Sequence, residues 1–271
     1  MTSDRRILEK EARRGWPHPA AWLCAAGLGV ALIAGTSGAV AQTVSGAVST
    51  FPGGSAEISV AQVRQMSVVV QAAGTVIYTD PTGGAERYAA HPPPDLILVS
   101  HEHAEHYDAA TLQQLLQPET IIVVPPFVRD LLPESLAGRA VVLGNGQHVD
   151  LGEIGVSAVA AYGLRGPAQV WHPQGRGNGY VVTVDDRRLY FAGSTDAVPE
   201  MLALEDVFVA FLPLYPPYAL GPDEAAAAVA AFRPASVYIY QYNSRATRDA
   251  FEQAMTHAAP ETTVVLPEIT R

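Results

Sequence analysis

From Ala56 onward, short strand-like blocks of apolar residues interleave with stretches of helical character. Ile58-Ser59-Val60 and Ser67-Val68-Val69-Val70 are rich in β-branched residues, and Gly74 turns the chain into Thr75-Val76-Ile77-Tyr78. Asp95-Leu96-Ile97-Leu98-Val99, behind the prolines at 92–94, is almost wholly apolar, as expected of a strand covered on both faces. Further strands are predicted over 121–124, 156–159, 207–212 and 236–240. The runs 180–184 and 188–191 flank Asp185-Asp186, a hairpin signal, because short acidic side chains tolerate the left-handed backbone of a tight turn. Three helices are predicted. One covers 109–116 behind Asp108 as N-cap, and one runs from Pro222 to about 232 with Asp223 and Glu224 facing its positive end; a third covers 247–257. No repeat and no internal linker interrupts this pattern. It predicts a single α/β domain over 56–271, packed sheets with outer helices, behind a flexible lead-in over 42–55.

The first forty residues change the picture of where the chain works. Arg5, Arg6, Lys10, Arg13 and Arg14 precede an apolar run over 20–34, and small residues follow as far as Ala39-Val40-Ala41. Such an order predicts a signal peptide over 1–41, cut after Ala41, and a periplasmic or secreted protein without a membrane anchor. An uncleaved anchor is the alternative, although the apolar run falls short of the ~20 residues a span needs. Asp4-Arg5-Arg6-Ile7-Leu8 has a faint twin-arginine character, so Sec and Tat export both stay open. Removing 1–41 takes away five basic and three acidic residues and leaves 12 arginines, no lysine and 24 acids, a net charge of −12. A surface so poor in cations argues against a nucleic-acid partner. The single cysteine, Cys24, excludes a disulfide framework and a thiolate metal site. With 48% apolar and 16% charged residues the chain has ample material for a core.

Candidate chemistry is concentrated after the apolar strand. His101-Glu102-His103-Ala104-Glu105-His106 follows Ser100, so three of the seven histidines beyond residue 41 fall within six positions. A strand end leads side chains into a shared crevice, alternate spacing puts His101 and His103 on one side, and imidazole nitrogens suit zinc. Tyr215-Pro216-Pro217-Tyr218 follows a predicted strand end, either as the wall of a substrate pocket or as a rigid loop on the sheet edge. Arg165 and Arg176 flank His172, as anion-recognising groups or as ordinary surface ion pairs. Tyr238, Tyr240 and Tyr242 alternate and predict one packed face. His91, His148 and His257 stand apart and are expected at the surface.

The histidine segment resembles the HxHxDH signature of the metallo-β-lactamase superfamily. Tyr78-Thr79-Asp80-Pro81 is similar to that family's strand ending in Asp-Pro, and the stretch from Pro94 to Ser100 to the lead-in of its metal loop. The stretch from His172 to Tyr180 resembles the lactonase-like branch of the L-ascorbate-6-phosphate type, and Phe191-Ala192-Gly193-Ser194-Thr195-Asp196 sits where that branch has Gly-Asp-Thr. Phe211-Leu212-Pro213-Leu214 and Tyr240-Gln241-Tyr242 are similar to its last two sheet-edge motifs. The resemblance implies an αββα sandwich with a metal site at one edge of the sheets. It implies His101 and His103 as ligands of a first metal and His106 as a ligand of a second; His172, between the cluster and the Gly-Ser-Thr segment, is the candidate third ligand of the first metal or else a loop histidine that binds substrate or nothing.

Three positions depart from the family. Glu105 replaces an aspartate, Ser194 the aspartate that bridges two metals, and Gln241 a terminal histidine ligand; Gln65 also stands where many relatives have histidine. Ser194 removes a negative charge that two close cations need, and Gln241 offers a neutral amide in place of a strong donor. Asp196 is either a substitute carboxylate or a loop acid or helix cap. The expectation is therefore an exported zinc-dependent hydrolase with one ion, manganese or no ion being the alternatives. It would act on a small ester, lactone, amide or phosphoester. Three imidazoles with an open fourth position lower the pKa of a bound water to roughly 7. Glu105 or His106 would be the general base, and Tyr215, Tyr218 and Arg176 would contact substrate. An inactive relic of the fold that binds a ligand or partner is the alternative, and a zinc buffer a third; the oligomeric state is open.

Overall fold

The computed structural model describes residues 48–269, so the predicted signal peptide, Cys24 and the first six residues of the lead-in, 42–47, lie outside the described residues. The first sheet runs in chain order through β1 (Val48–Phe51), β2 (Ile58–Arg64), β3 (Ser67–Ala72), β4 (Thr75–Thr79), β5 (Leu96–Leu98), β6 (Ile121–Val124) and β7 (Ala140–Val142). Its pairs are antiparallel from β1 to β4 and parallel from β4 to β7. The second sheet repeats that plan. Antiparallel β8 (His148–Asp150), β9 (Gly155–Ala161), β10 (Gly177–Val184) and β11 (Arg187–Phe191) lead to parallel β12 (Val207–Leu214), β13 (Ser236–Tyr242) and β14 (Thr263–Val265).

Parallel neighbours need crossovers, and these carry the longer helices: α1 (Ala109–Leu115), α6 (Pro222–Phe232) and α7 (Arg245–Ala258). Short helices α2 (Pro126–Arg129), α3 (Glu134–Ala137), α4 (Gly166–Trp171) and α5 (Pro199–Leu202) fill other connections. Alternation along the strands sorts side chains into three cores. Leu96 and Leu98 face Phe211, Tyr238 and Tyr240 between the sheets. Ile97 and Val99 pack outward with Leu112 and Leu115 of α1. Val237 and Ile239 pack outward with Val229 of α6 and Phe251 of α7. Helix, sheet, sheet and helix are thus stacked, the αββα sandwich implied by the resemblance. Each fully buried Leu, Ile or Phe contributes about 1.5–3 kcal/mol.

Local signals place most elements. Asp108 caps α1, its Oδ1 accepting from the amides of Ala110 and Thr111 at 3.1 Å each. Asp185 and Asp186 turn the β10–β11 hairpin at φ 51 and 58. Ser244 caps α7, which therefore starts ahead of the predicted residue 247. Two expectations need correction. Residues 48–51, read as part of a flexible lead-in, form β1 on the edge of the first sheet, because Phe51 alternates inward and is buried. Tyr242 does not share a face with Tyr238 and Tyr240. The β12–β13 register shifts between Leu212 and Pro213, and Tyr242 joins the helix-side core.

Candidate metal centre

The candidate residues meet where both sheets end their parallel strands, the usual place for a site in such topologies. Asp80 follows β4 and residues 101–106 follow β5 in the first sheet; Ser194 follows β11, Tyr215 follows β12 and Gln241 lies in β13 of the second. His172 follows α4 and enters from the connection between β9 and β10.

A buried carboxylate organises the histidine loop. Asp80, at φ 41, accepts from the Ser100 amide at 2.7 Å, from Ser100 Oγ at 2.7 Å and from His106 Nδ1 at 2.8 Å. Ser100 has spent its proton on Asp80, so its Oγ accepts from His101 Nδ1 at 2.9 Å. The chain of donors leaves His101 Nε2 as a lone pair. It is buried and has no hydrogen-bond partner. His172 is fixed in the same sense, since its Nδ1 donates to the Tyr218 carbonyl at 2.9 Å and frees Nε2.

The nitrogens converge. One donor atom each from His101, His103 and His172 lie within 4.8 Å of one another. The ring centroids are 4.8 Å apart for His101 and His103, 5.0 Å for His101 and His172, and 5.1 Å for His103 and His172. Burial, together with the neighbouring imidazoles, pushes His101 well below the ordinary histidine range. Burial likewise lowers His103, against the opposing pull of Glu102 and Glu105, and lowers His172 to about 4. Three neutral imidazoles around an orphaned buried nitrogen fit a divalent cation, which needs lone pairs rather than N–H groups.

His106 is held differently. It is buried, its Nδ1 is committed to Asp80, and its Nε2 stands 3.4 Å from Ser194 Oγ. A cavity of about 270 Å³ opens beside the three histidines, walled by His103, Glu105, Trp171, His172, Ser194, Tyr215, Tyr218 and Gln241. The structure therefore brings Tyr215, Tyr218, Glu105, Ser194 and Gln241 to one place. Gln241 is buried with its Oε1 unpartnered.

Arg176 is not part of that wall. It lines the adjoining cleft with His101, His172 and Trp171, where its guanidinium pairs with Glu102 at 2.6 Å and lies 3.9 Å over the Phe127 ring. Asp196 is not a substitute ligand either. It is buried, accepts from the Leu164 amide at 2.8 Å, and desolvation raises its pKa. His148 and His257 are exposed and His91 is partly so. Sequence reasoning gave no role to Ser100, Glu102 or Trp171. The Asp80-Pro81 motif did signal Asp80, whose task as a shared acceptor needs the fold to become visible.

Comparisons with known proteins agree with this geometry. Residues 60–240 match the model of the Beta-lactamase superfamily domain. A UPF0173 metal-dependent hydrolase of Ligilactobacillus salivarius is 25% identical over 189 residues, covering 65% of this chain and 81% of the relative. Another of the same description, from Solibacter usitatus, is 28% identical over 151 residues, or 53% of this chain and 64% of the relative. Among solved structures, a protein of Parabacteroides distasonis assigned as a metal-dependent hydrolase superposes with TM-score 0.71 at 28% identity, over 80% of this chain and 97% of that one. A metallo hydrolase of Ignicoccus hospitalis gives TM-score 0.64 at 20% identity, over 78% and 95%, a likeness of fold. With two thirds of its length matched by the family model and the fold and histidine site in place, the chain belongs to the beta-lactamase superfamily.

Proposed function

We propose that the chain is an exported metal-dependent hydrolase that holds one zinc ion on His101, His103 and His172 and cleaves a small ester, lactone, amide or phosphoester. The observation that carries the reading is the buried, unpartnered Nε2 of His101 within reach of the donor atoms of His103 and His172. Three imidazoles without a carboxylate among them favour zinc over manganese. A single ion follows from the neutral side chains at Ser194 and Gln241, which offer no charge to offset a second dication. When bound, such an ion supplies a Lewis acid and lowers the pKa of water.

The chain's own residues do the rest. Asp80 and Ser100 hold His101 in the tautomer that presents Nε2, and the Tyr218 carbonyl does the same for His172. Glu105, exposed on the cavity wall, is placed to take a proton from the attacking water, while His106 spends one nitrogen on Asp80. Tyr215 and Tyr218 wall the space a substrate enters. Export rests on the basic, apolar and small-residue order of 1–41.

Elemental analysis of the purified full chain, followed by assays on carboxylic ester, lactone and phosphodiester panels with and without added zinc, tests the reading. One ion per chain, lost together with turnover in His172→Ala, is expected. No bound metal and no turnover in the native chain, with both restored by Ser194→Asp combined with Gln241→His, would instead mark an inactive relic of the fold.

A further inference from the structure

We propose that the mouth of the cavity is a binding platform for an uncharged, apolar tail of the substrate, with Trp171 and Tyr218 as its two walls. The inference rests on the cavity being the substrate site, and not on the identity of the ion. Large apolar side chains are seldom left in water in groups unless something covers them. Trp171 is 54% exposed, Val170 beside it 78%, and Tyr218 39%. Trp171 stands edge-on to Tyr218, with centroids 5.8 Å apart and planes at 78°, and its other side meets the His103 ring at 5.4 Å. The exposed aromatic surface is thus continuous with the candidate metal ligands, and both rings line the same 270 Å³ cavity.

Charge decides the kind of tail. Among the described residues no arginine or lysine lines this cavity, and Glu105 puts a carboxylate on its wall. Arg176 belongs to the adjoining cleft, where it pairs with Glu102 and lies over the Phe127 ring. An anionic tail at the mouth would meet repulsion from Glu105 with no arginine or lysine on the wall to offset it, whereas an alkyl or aryl tail removes Trp171 and Tyr218 surface from water. The occupant is therefore the acyl or aryl portion of a neutral small molecule whose reactive group reaches the three histidines.

The chain carries its own reporter. Its tryptophans are Trp16, Trp22 and Trp171, so the full chain with Trp16→Phe and Trp22→Phe leaves Trp171 as sole emitter. Three amides with one head group serve as probes: acetamide, hexanamide and 6-amino-6-oxohexanoate, whose tails are absent, apolar and anionic. Hexanamide is expected to give a saturable blue shift at a half-saturating concentration about tenfold or more below that of the other two, the factor for burying roughly half of the added methylene surface. Tyr218→Ala is expected to shrink that preference to about threefold or less. Equal responses to the three amides, a tighter anionic probe, no saturable shift, or full preference retained in Tyr218→Ala overturns the proposal. Emission that tracks protein concentration instead of ligand overturns it in favour of a second copy on this face. Metal content and turnover, measured on the same sample, report separately on the hydrolase reading.

Discussion

Asp80 governs the site from behind, since three donors converge on its carboxylate and their order settles which nitrogen of His101 carries a proton. Asp80→Asn keeps the shape and tolerates φ 41, but replaces one acceptor oxygen with an N–H that opposes the Ser100 or His106 donor. We expect zinc affinity to fall about 10- to 100-fold, as is typical when an outer partner of a metal-binding histidine is lost, and chelator competition measures it. The lowered imidazoles carry a second prediction. His172 stays neutral in the folded, metal-free protein down to about pH 4, while in the unfolded chain it protonates near its ordinary value of about 6.5. Between those values the unfolded state binds more protons, so the stability of the metal-free protein falls as pH is lowered through that window. Urea unfolding at pH 7.0, 5.5 and 4.5 should show the decline, and His172→Gln should flatten part of it. The cluster 101–106 was plain in the sequence because histidines are rare and these are adjacent. The ion pair of Arg176 with Glu102 was illegible because the two residues lie far apart in sequence and meet only in the fold.

Elements with strong local signals were legible. Asp108 before an apolar-periodic run, Pro222-Asp223-Glu224 before alanines, and Asp185-Asp186 between β-rich runs each state a physical preference that no distant contact needs to supply. Strands β7, β8 and β14, three residues each, exist because a neighbouring strand offers them an edge, which no local pattern records. β1 is the same case with Phe51 as its anchor. The register shift of β13 was illegible for a related reason, since alternating tyrosines look alike whether or not a partner strand slips. Asp108 also joins two elements, because its Oδ2 accepts from the Gly83 amide at 3.1 Å while Oδ1 caps α1. Asp108→Ala is expected to cost about 1–2 kcal/mol, read as a lower urea midpoint with an unchanged slope.

At the scale of the molecule, two like halves each contribute one side of the site. The first sheet brings Asp80 and the histidine loop, the second brings Ser194, Tyr215 and Gln241, and the packing between them sets the distances. The resemblance of motifs in family order made this architecture readable, because motif order fixes which strand ends meet. Ser194 and Gln241, the neutral positions of the second half, are the basis on which we propose a single ion. Ser194→Asp with Gln241→His is expected to raise the stoichiometry toward two ions per chain, measured by elemental analysis. The most direct test of the account is the zinc X-ray absorption spectrum of the purified full chain beside that of His172→Ala. One ion with three imidazoles in its shell, falling to two or to no bound ion in the variant, is expected. A native spectrum without histidine ligands, or one unchanged by His172→Ala, would contradict it.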